Sequence, residues 1–121
     1  MPQFSFVLRY VANPPVSAKF YAGLLGAPIV EDSPTFAMLP LREGVMLGLW
    51  RKDGVAPPAT SAGGGEIALT LASAGEVDRV HTDWRGRGYV IAQAPTDMDF
   101  GRTFVALDPD GARVRVFCPA G

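Results

Sequence analysis

A carboxylate, two guanidiniums and a set of aromatic rings are the residues whose chemistry this sequence makes available. Glu66 opens an alternating apolar run, and a carboxylate there can act as a metal ligand or a general base. Arg115 and Arg102 can each grip a carboxylate through parallel N–H bonds, Arg102 standing beside Phe100 and Gly101. Phe6, Tyr10, Met46 and Trp50 offer surfaces for a flat ring, with Gly48 leaving space beside the Trp50 indole. Nucleophilic catalysis has little to work with. The chain holds one histidine, His81, and one cysteine, Cys118, and no Ser-His-Asp or Cys-His arrangement follows from their placement. Asp97 and Asp99, separated by Met98, read as solvated or turn-forming aspartates on a loop rather than as a carboxylate site.

The remaining composition narrows the partners. The chain has 121 residues, enough for one domain that buries roughly two-thirds of its unfolded surface. A net charge of −1 gives no electrostatic reason to expect nucleic acid or an anionic membrane. Apolar runs are strand-sized, too short to span a bilayer. The opening Met1-Pro2-Gln3-Phe4-Ser5-Phe6 lacks the pattern of an export signal, and a lone Cys118 suits a reducing compartment, so a cytoplasmic protein is expected.

The elements that must position these residues come in two similar sets. In the first, Gln3–Val11 reads as a strand. Asn13 with Pro14 and Pro15 reads as a helix start, with Val16, Phe20, Tyr21 and Leu24 as its apolar stripe and Gly26 as its stop. Strands follow near Ala27–Val30, Phe36–Leu39 and Val45–Trp50, the last two joined by a turn over Leu41–Gly44. Residues Lys52–Gly65, aperiodic and rich in Pro, Ala and Gly, form a linker between a first module (1–51) and a second (66–121).

The second set repeats the order. Glu66–Leu71 alternates as a half-buried strand, and Ser73 with Glu76 makes a capping box. Val77, Val80, His81 and Trp84 stripe a helix that ends at Gly88. Strands follow near Tyr89–Gln93, Thr103–Leu107 and Arg113–Cys118, with Asp108-Pro109-Asp110-Gly111 as the hairpin turn. Thr35-Phe36-Ala37-Met38-Leu39 stands 68 residues before the similar Thr103-Phe104-Val105-Ala106-Leu107. The expected fold is α+β: tandem βαβββ modules in a curved mixed β-sheet that encloses a cavity, within a single domain. A ferredoxin-like α+β domain is the alternative.

Phe20-Tyr21-x-x-Leu24-Leu25-Gly26 and Leu107-Asp108-Pro109-Asp110-Gly111, in this duplicated order, resemble the vicinal oxygen chelate superfamily of glyoxalase I, extradiol dioxygenases, fosfomycin-resistance enzymes and bleomycin-binding proteins. Met46-Leu47-Gly48-Leu49-Trp50, Gly65-Glu66-Ile67 and Asp99-Phe100-Gly101-Arg102-Thr103-Phe104 are similar to the branch that resists phenazine antibiotics. That likeness implies a dimer binding an aromatic drug between aromatic side chains.

Metal enzymes of the superfamily carry ligands on the first, fourth, fifth and eighth strands. The resemblance puts those positions at Phe6, Gly48, Glu66 and Arg115. Of these only Glu66 can coordinate, so no metal and no cofactor are expected. Strand alternation groups Phe6, Leu8 and Tyr10 on one face, as it does Met46, Gly48 and Trp50, with Trp50 near a cavity mouth. Glu66, Ala68 and Thr70 share a face, and Arg113 and Arg115 theirs.

Glu66 and Arg115 then either pair with each other or offer the ligand a charged anchor. The expected function is metal-independent sequestration of a planar aromatic molecule such as an antibiotic, by a homodimer that could exchange modules across the linker. A lyase, dioxygenase or transferase of the same superfamily, metal-dependent or assisted by Glu66, is the alternative. A structural dimer module with a filled cavity is another.

Overall fold

The computed structural model describes residues 3–59 and 65–120, which fall into two compact units, 1–62 and 63–121. The first unit contains β1 (Phe6–Val11), α1 (Pro14–Leu25), β2 (Glu31–Asp32), β3 (Phe36–Arg42) and β4 (Val45–Arg51), followed by a 3-10 turn at Lys52–Gly54. Its sheet runs β1-β4-β3-β2, with β1 parallel to β4. The second unit contains β5 (Glu66–Thr70), α2 (Ala74–Gly86), β6 (Val90–Met98), β7 (Gly101–Leu107) and β8 (Arg113–Pro119). Its sheet runs β5-β8-β7-β6, with β5 parallel to β8. The α+β tandem βαβββ order is therefore present. The stretch expected to link the units includes residues 60–64, which lie outside the described residues.

Local chemistry sets the helix ends. The Asn13 side chain accepts from the Val16 N–H at 3.2 Å, and the prolines occupy the first turn, where helix N–H groups have no intrahelical partner. Gly26, at φ 65°, closes α1 by donating to Ala22 O. The Ser73 hydroxyl accepts from the Glu76 N–H at 3.2 Å to start α2. In the β7–β8 turn, Asp108 Oδ1 accepts from the Asp110 and Ala112 N–H groups at 2.9 and 2.8 Å.

Helix α1 buries Tyr21 and Leu24 of the expected stripe but not Val16 or Phe20. Ser17, Ala18, Tyr21 and Leu24 are buried, while Val16 is 50% exposed and Phe20 half-buried. The small Ser17 and Ala18 allow close approach to the sheet, where Ala37, Leu39, Leu47 and Leu49 are fully buried. In the second unit Val77 and Trp84 of α2 pack with buried Phe104, Ala106, Val114 and Val116.

Two strands differ most from expectation. The strand expected at Ala27–Val30 is the two-residue β2, because Pro28 has no N–H to donate and pairing starts where Val30 N–H meets Met38 O. Strand β6 reaches Met98, past the expected Gln93, through register shifts between Ile91 and Gln93 and between Gln93 and Thr96; Pro95 lies in the second interval. Asp97 is consequently on a strand rather than a loop.

The matched pentapeptides are not equivalent in the sheets. Met38 lies opposite Gly48 and Val105 opposite Arg115, an offset of 67 residues (105 − 38), as for Gly44 and Gly111 (111 − 44). An offset of 68 is one residue out of phase, which reverses the face of every side chain. Phe36 therefore shares the face opposite α1, whereas Phe104 packs against α2.

Gly101 is where the β6–β7 hairpin closes against β8. Its φ is 139°, and an added Cβ would stand 1.9 Å from Cys118 O. That obstacle is backbone and cannot swing away. Gly111 also has a positive φ, 80°, but open space at the Cβ position. Gly101→Ala is expected to lower stability by about 3 kcal/mol or more, and Gly111→Ala by about 1 kcal/mol. Urea unfolding of the two variants checks this. Equal midpoints would refute the steric account.

Candidate functional site

Each sheet packs its helix on one face and turns a chemically distinct face the other way. In the first unit that face is apolar. Phe6, Leu8 and Tyr10 project from β1 and are 42%, 46% and 50% exposed. Parallel pairing sets Phe6 beside Met46, Leu8 beside Gly48 and Tyr10 beside Trp50. Phe6, Leu8, Phe36 and Trp50 line an open hollow of about 510 Å³. The Tyr10 and Trp50 rings meet edge to face, with centroids 6.4 Å apart.

Gly48 has a different role from the one expected. A Cβ there would lie 2.6 Å from Leu8 Cδ2 and 3.0 Å from Phe36 Cζ. The missing side chain admits Leu8 and Phe36 over the strand, rather than leaving space beside the indole. Trp50 stands at the end of β4, where the hydrogen-bonded Arg51–Asp53 pair (2.6 Å) and the Lys52–Gly54 turn follow. Phe36 was absent from the sequence-based candidates. The alternation of buried Ala37 and Leu39 is the signal that reveals it.

In the second unit the corresponding face is polar and organised around Arg115. Its Nε donates to Glu66 Oε1 at 2.6 Å, and Nη2 to Oε2 at 3.4 Å. Its Nη1 donates to Gln93 Oε1 at 3.4 Å and to Thr103 Oγ1 at 3.2 Å. The buried Thr103 hydroxyl donates in turn to Val116 O at 2.9 Å, which turns its lone pairs toward the arginine. The guanidinium carbon lies 5.7 Å from the centroid of the Phe100 ring, within cation–π range. Phe100 meets Phe117 edge-on at 5.9 Å. Glu66, Arg115 and Phe100 are thus brought together. Gln93, Thr103 and Phe117 belong with them and were not singled out, because neither a hydroxyl nor an amide announces its partner in sequence.

Arg102 is not part of this cluster. It lies opposite Cys118 in the ladder, on the face turned to α2, and donates to Asp78 Oδ1 at 2.8 Å and Asp97 Oδ1 at 3.1 Å. Its hydrogen bonds to Asp78 first and Asp97 second hold its pKa above the ordinary arginine value. Its place is to brace α2 against the β6–β7 hairpin, and Asp97 is a partner in that brace. His81 also faces this side, its ring 5.4 Å from that of Phe104.

The residues at the superfamily's metal positions do not fit a divalent ion. Phe6 and Gly48 supply no donor atom, Arg115 is a cation, and Glu66 accepts from Arg115 through both oxygens. Among the described residues, no three His, Cys, Asp or Glu side chains are grouped to hold a metal. Nor does any described helix have the length and apolarity to cross a membrane.

Comparisons with known proteins bear on the family and the fold. A family model described as the Glyoxalase/Bleomycin resistance protein/Dioxygenase superfamily matches residues 3–116. The phenazine antibiotic resistance protein EhpR of Enterobacter agglomerans is 30% identical over 115 residues, covering 93% of this chain and 88% of that protein. The solution structure of protein ATC0852 from Agrobacterium tumefaciens is 43% identical, with TM-score 0.87 and 100% of both chains covered. A glyoxalase/bleomycin resistance protein/dioxygenase crystal structure from Nocardioides is 25% identical, with TM-score 0.80, covering 98% of this chain and 84% of that one.

The Glu66 side chain is 33% exposed and that of Arg115 17%, so their pair is partly screened by water. Glu66→Gln is expected to cost about 1–2 kcal/mol, below the figure for a fully buried pair. His81→Gln should cost about 0.5 kcal/mol, the edge contact on Phe104 being its main loss. Denaturant unfolding ranks the two. Equal, near-zero effects would mean that the ion pair contributes nothing.

Proposed function

The chain belongs to the glyoxalase/bleomycin resistance protein/dioxygenase superfamily, and we propose that within it this protein binds and sequesters a flat aromatic small molecule rather than transforming it. One observation carries the reading. Phe6, Leu8 and Tyr10 stand substantially exposed beside Trp50 and Phe36, around a hollow of about 510 Å³. Ligand sites typically span roughly 300–1,000 Å³ and are lined mainly by apolar and aromatic side chains. Water contact with these rings is unfavourable, and a planar ligand laid on them recovers that free energy.

Two further points support binding over catalysis. EhpR, the phenazine antibiotic resistance protein, is related over nearly the whole chain. Glu66, the residue best suited to general-base work, has both oxygens hydrogen-bonded to Arg115, so a substrate proton would have to compete with the guanidinium for them. We further propose that the protein works as a homodimer. Strands β1 and β5 are sheet edges, and Phe4 and Val90 add exposed apolar surface outside the hollow, which a second copy would cover. Sedimentation at micromolar concentration should give twice the 12.9 kDa chain mass, and a monomer would contradict it.

Trp50 lines the hollow, whereas Trp84 is buried on the sheet-facing side of α2 in the second unit, against Tyr89 and Phe104. Titrating phenazine into a Trp84→Phe variant should quench the Trp50 emission. Adding Trp50→Leu, judged by equilibrium dialysis, should weaken binding by about 1–3 kcal/mol while the fold survives. Absence of quenching by phenazine or any other planar aromatic, together with unfolding of the Trp50 variant, would make the rings core and defeat the reading.

A further inference from the structure

We propose that Glu66 sets the charge class of what the open face of the second sheet accepts: by holding Arg115 it makes that face a site for uncharged planar molecules and turns away anionic ones. The inference rests on the small-molecule binding reading and extends it from the hollow of the first unit to the open face of the second sheet. It concerns the second unit alone.

A guanidinium has five N–H groups. At Arg115, Nε and one Nη2 N–H go to the two Glu66 oxygens, and both Nη1 N–H groups go to Gln93 and Thr103. A carboxylate is gripped by two parallel N–H bonds, and these four engagements leave a single Nη2 N–H to offer. An acidic ligand would have to displace Glu66, or settle beside it as a second negative charge where one positive charge serves both. Like charges at contact distance oppose each other. A neutral ligand meets neither obstacle. The single N–H suits a carbonyl, amide or ring nitrogen, and Phe100, 43% exposed beside Phe117, offers a ring for a flat molecule to stack on.

The neighbours keep the arginine in this state. Thr103 is anchored by its bond to Val116 O, so its lone pairs are directed at Nη1. The Glu66 bonds run from β5 to the adjacent β8, across a ladder in which Ala68 lies opposite Arg115. Rotating Arg115 toward an incoming anion would break these bonds together.

The test uses two probes with the same ring system, 2-naphthamide and 2-naphthoate, titrated into the full-length protein at neutral pH and followed by backbone amide shifts. In the wild type, naphthamide should bind at least tenfold more tightly than naphthoate. In Glu66→Gln, which removes the negative charge at nearly constant shape, naphthoate should gain at least tenfold, with shifts centred on Arg115, Thr103 and Phe117. Adding Arg115→Gln to that variant should abolish the gain. Glu66→Ala removes the same charge by a different route and replaces Glu66→Gln if the latter does not fold.

The outcomes separate the two claims. Naphthoate binding to wild type as tightly as naphthamide, with shifts at Arg115, overturns the inference. So does a charge-removed variant that gains no affinity for naphthoate. A wild type that takes neither probe also overturns the inference, whereas the sequestration reading stands or falls separately on quenching of Trp50 in the first unit's hollow.

Discussion

The parallel pairing of each unit's first strand with its last is the constraint on which the rest depends. In the second unit it sets Ala68 opposite Arg115, so residues from the two ends of the unit meet on one face. Glu66 and Arg115, 49 positions apart in sequence, come within 2.6 Å only because β5 and β8 are neighbours. In the first unit the same pairing lays Phe6, Leu8 and Tyr10 beside Met46, Gly48 and Trp50. A crossover between parallel strands needs a connection long enough to leave the sheet and return. In each unit the helix and two intervening strands supply it, and the helix covers the face that becomes the core.

The pleat then separates structure from function. Alternate residues of β4 and β8, such as Leu47, Leu49, Val114 and Val116, are buried on the helix side. Their neighbours face the other way and are released from core packing. That release is why a phenyl ring, a glycine and an arginine can occupy positions where relatives of this superfamily hold metal ligands. It also explains Arg102. One step along β7 from Thr103, it must lie on the opposite face, where Asp78 of α2 is within reach.

Much of this was legible in the sequence because it depends on short-range rules. The capping residues Asn13 and Ser73, the stop at Gly26, the Asp108–Gly111 turn and the two-residue period of β1, β4, β5 and β8 are local signals, and their consequences follow from backbone geometry. From sequence, Glu66 and Arg115 can either pair with each other or anchor a ligand, and only the fold shows that they pair. What failed to show depends on depth of approach or on partners across the fold. Val16 and Phe20 outweigh Ser17 and Ala18 in hydrophobicity, yet the small residues face the sheet because they admit closer packing. The pentapeptide likeness misled by a single residue, enough to interchange the faces of Phe36 and Phe104. Nothing local to Arg102 reveals Asp78, 24 residues earlier on a helix.

Corresponding positions of the two sheets show how duplication of a backbone leaves its faces independent. Through the ladders Phe6 corresponds to Glu66, Gly48 to Arg115, and Phe36 to Thr103. In the first sheet the set is wholly apolar, and the missing side chain of Gly48 is filled by Leu8 and Phe36. In the second the set is a carboxylate, a guanidinium and a hydroxyl that satisfy one another. Each solution is internally consistent, and a half-exchange would not be. An arginine in place of Gly48 would collide with Leu8 and Phe36 and find no carboxylate at the position Phe6 holds. A glycine in place of Arg115 would leave Glu66 without its cation. Each face is complementary within itself, aromatic in one unit and charge-compensated in the other.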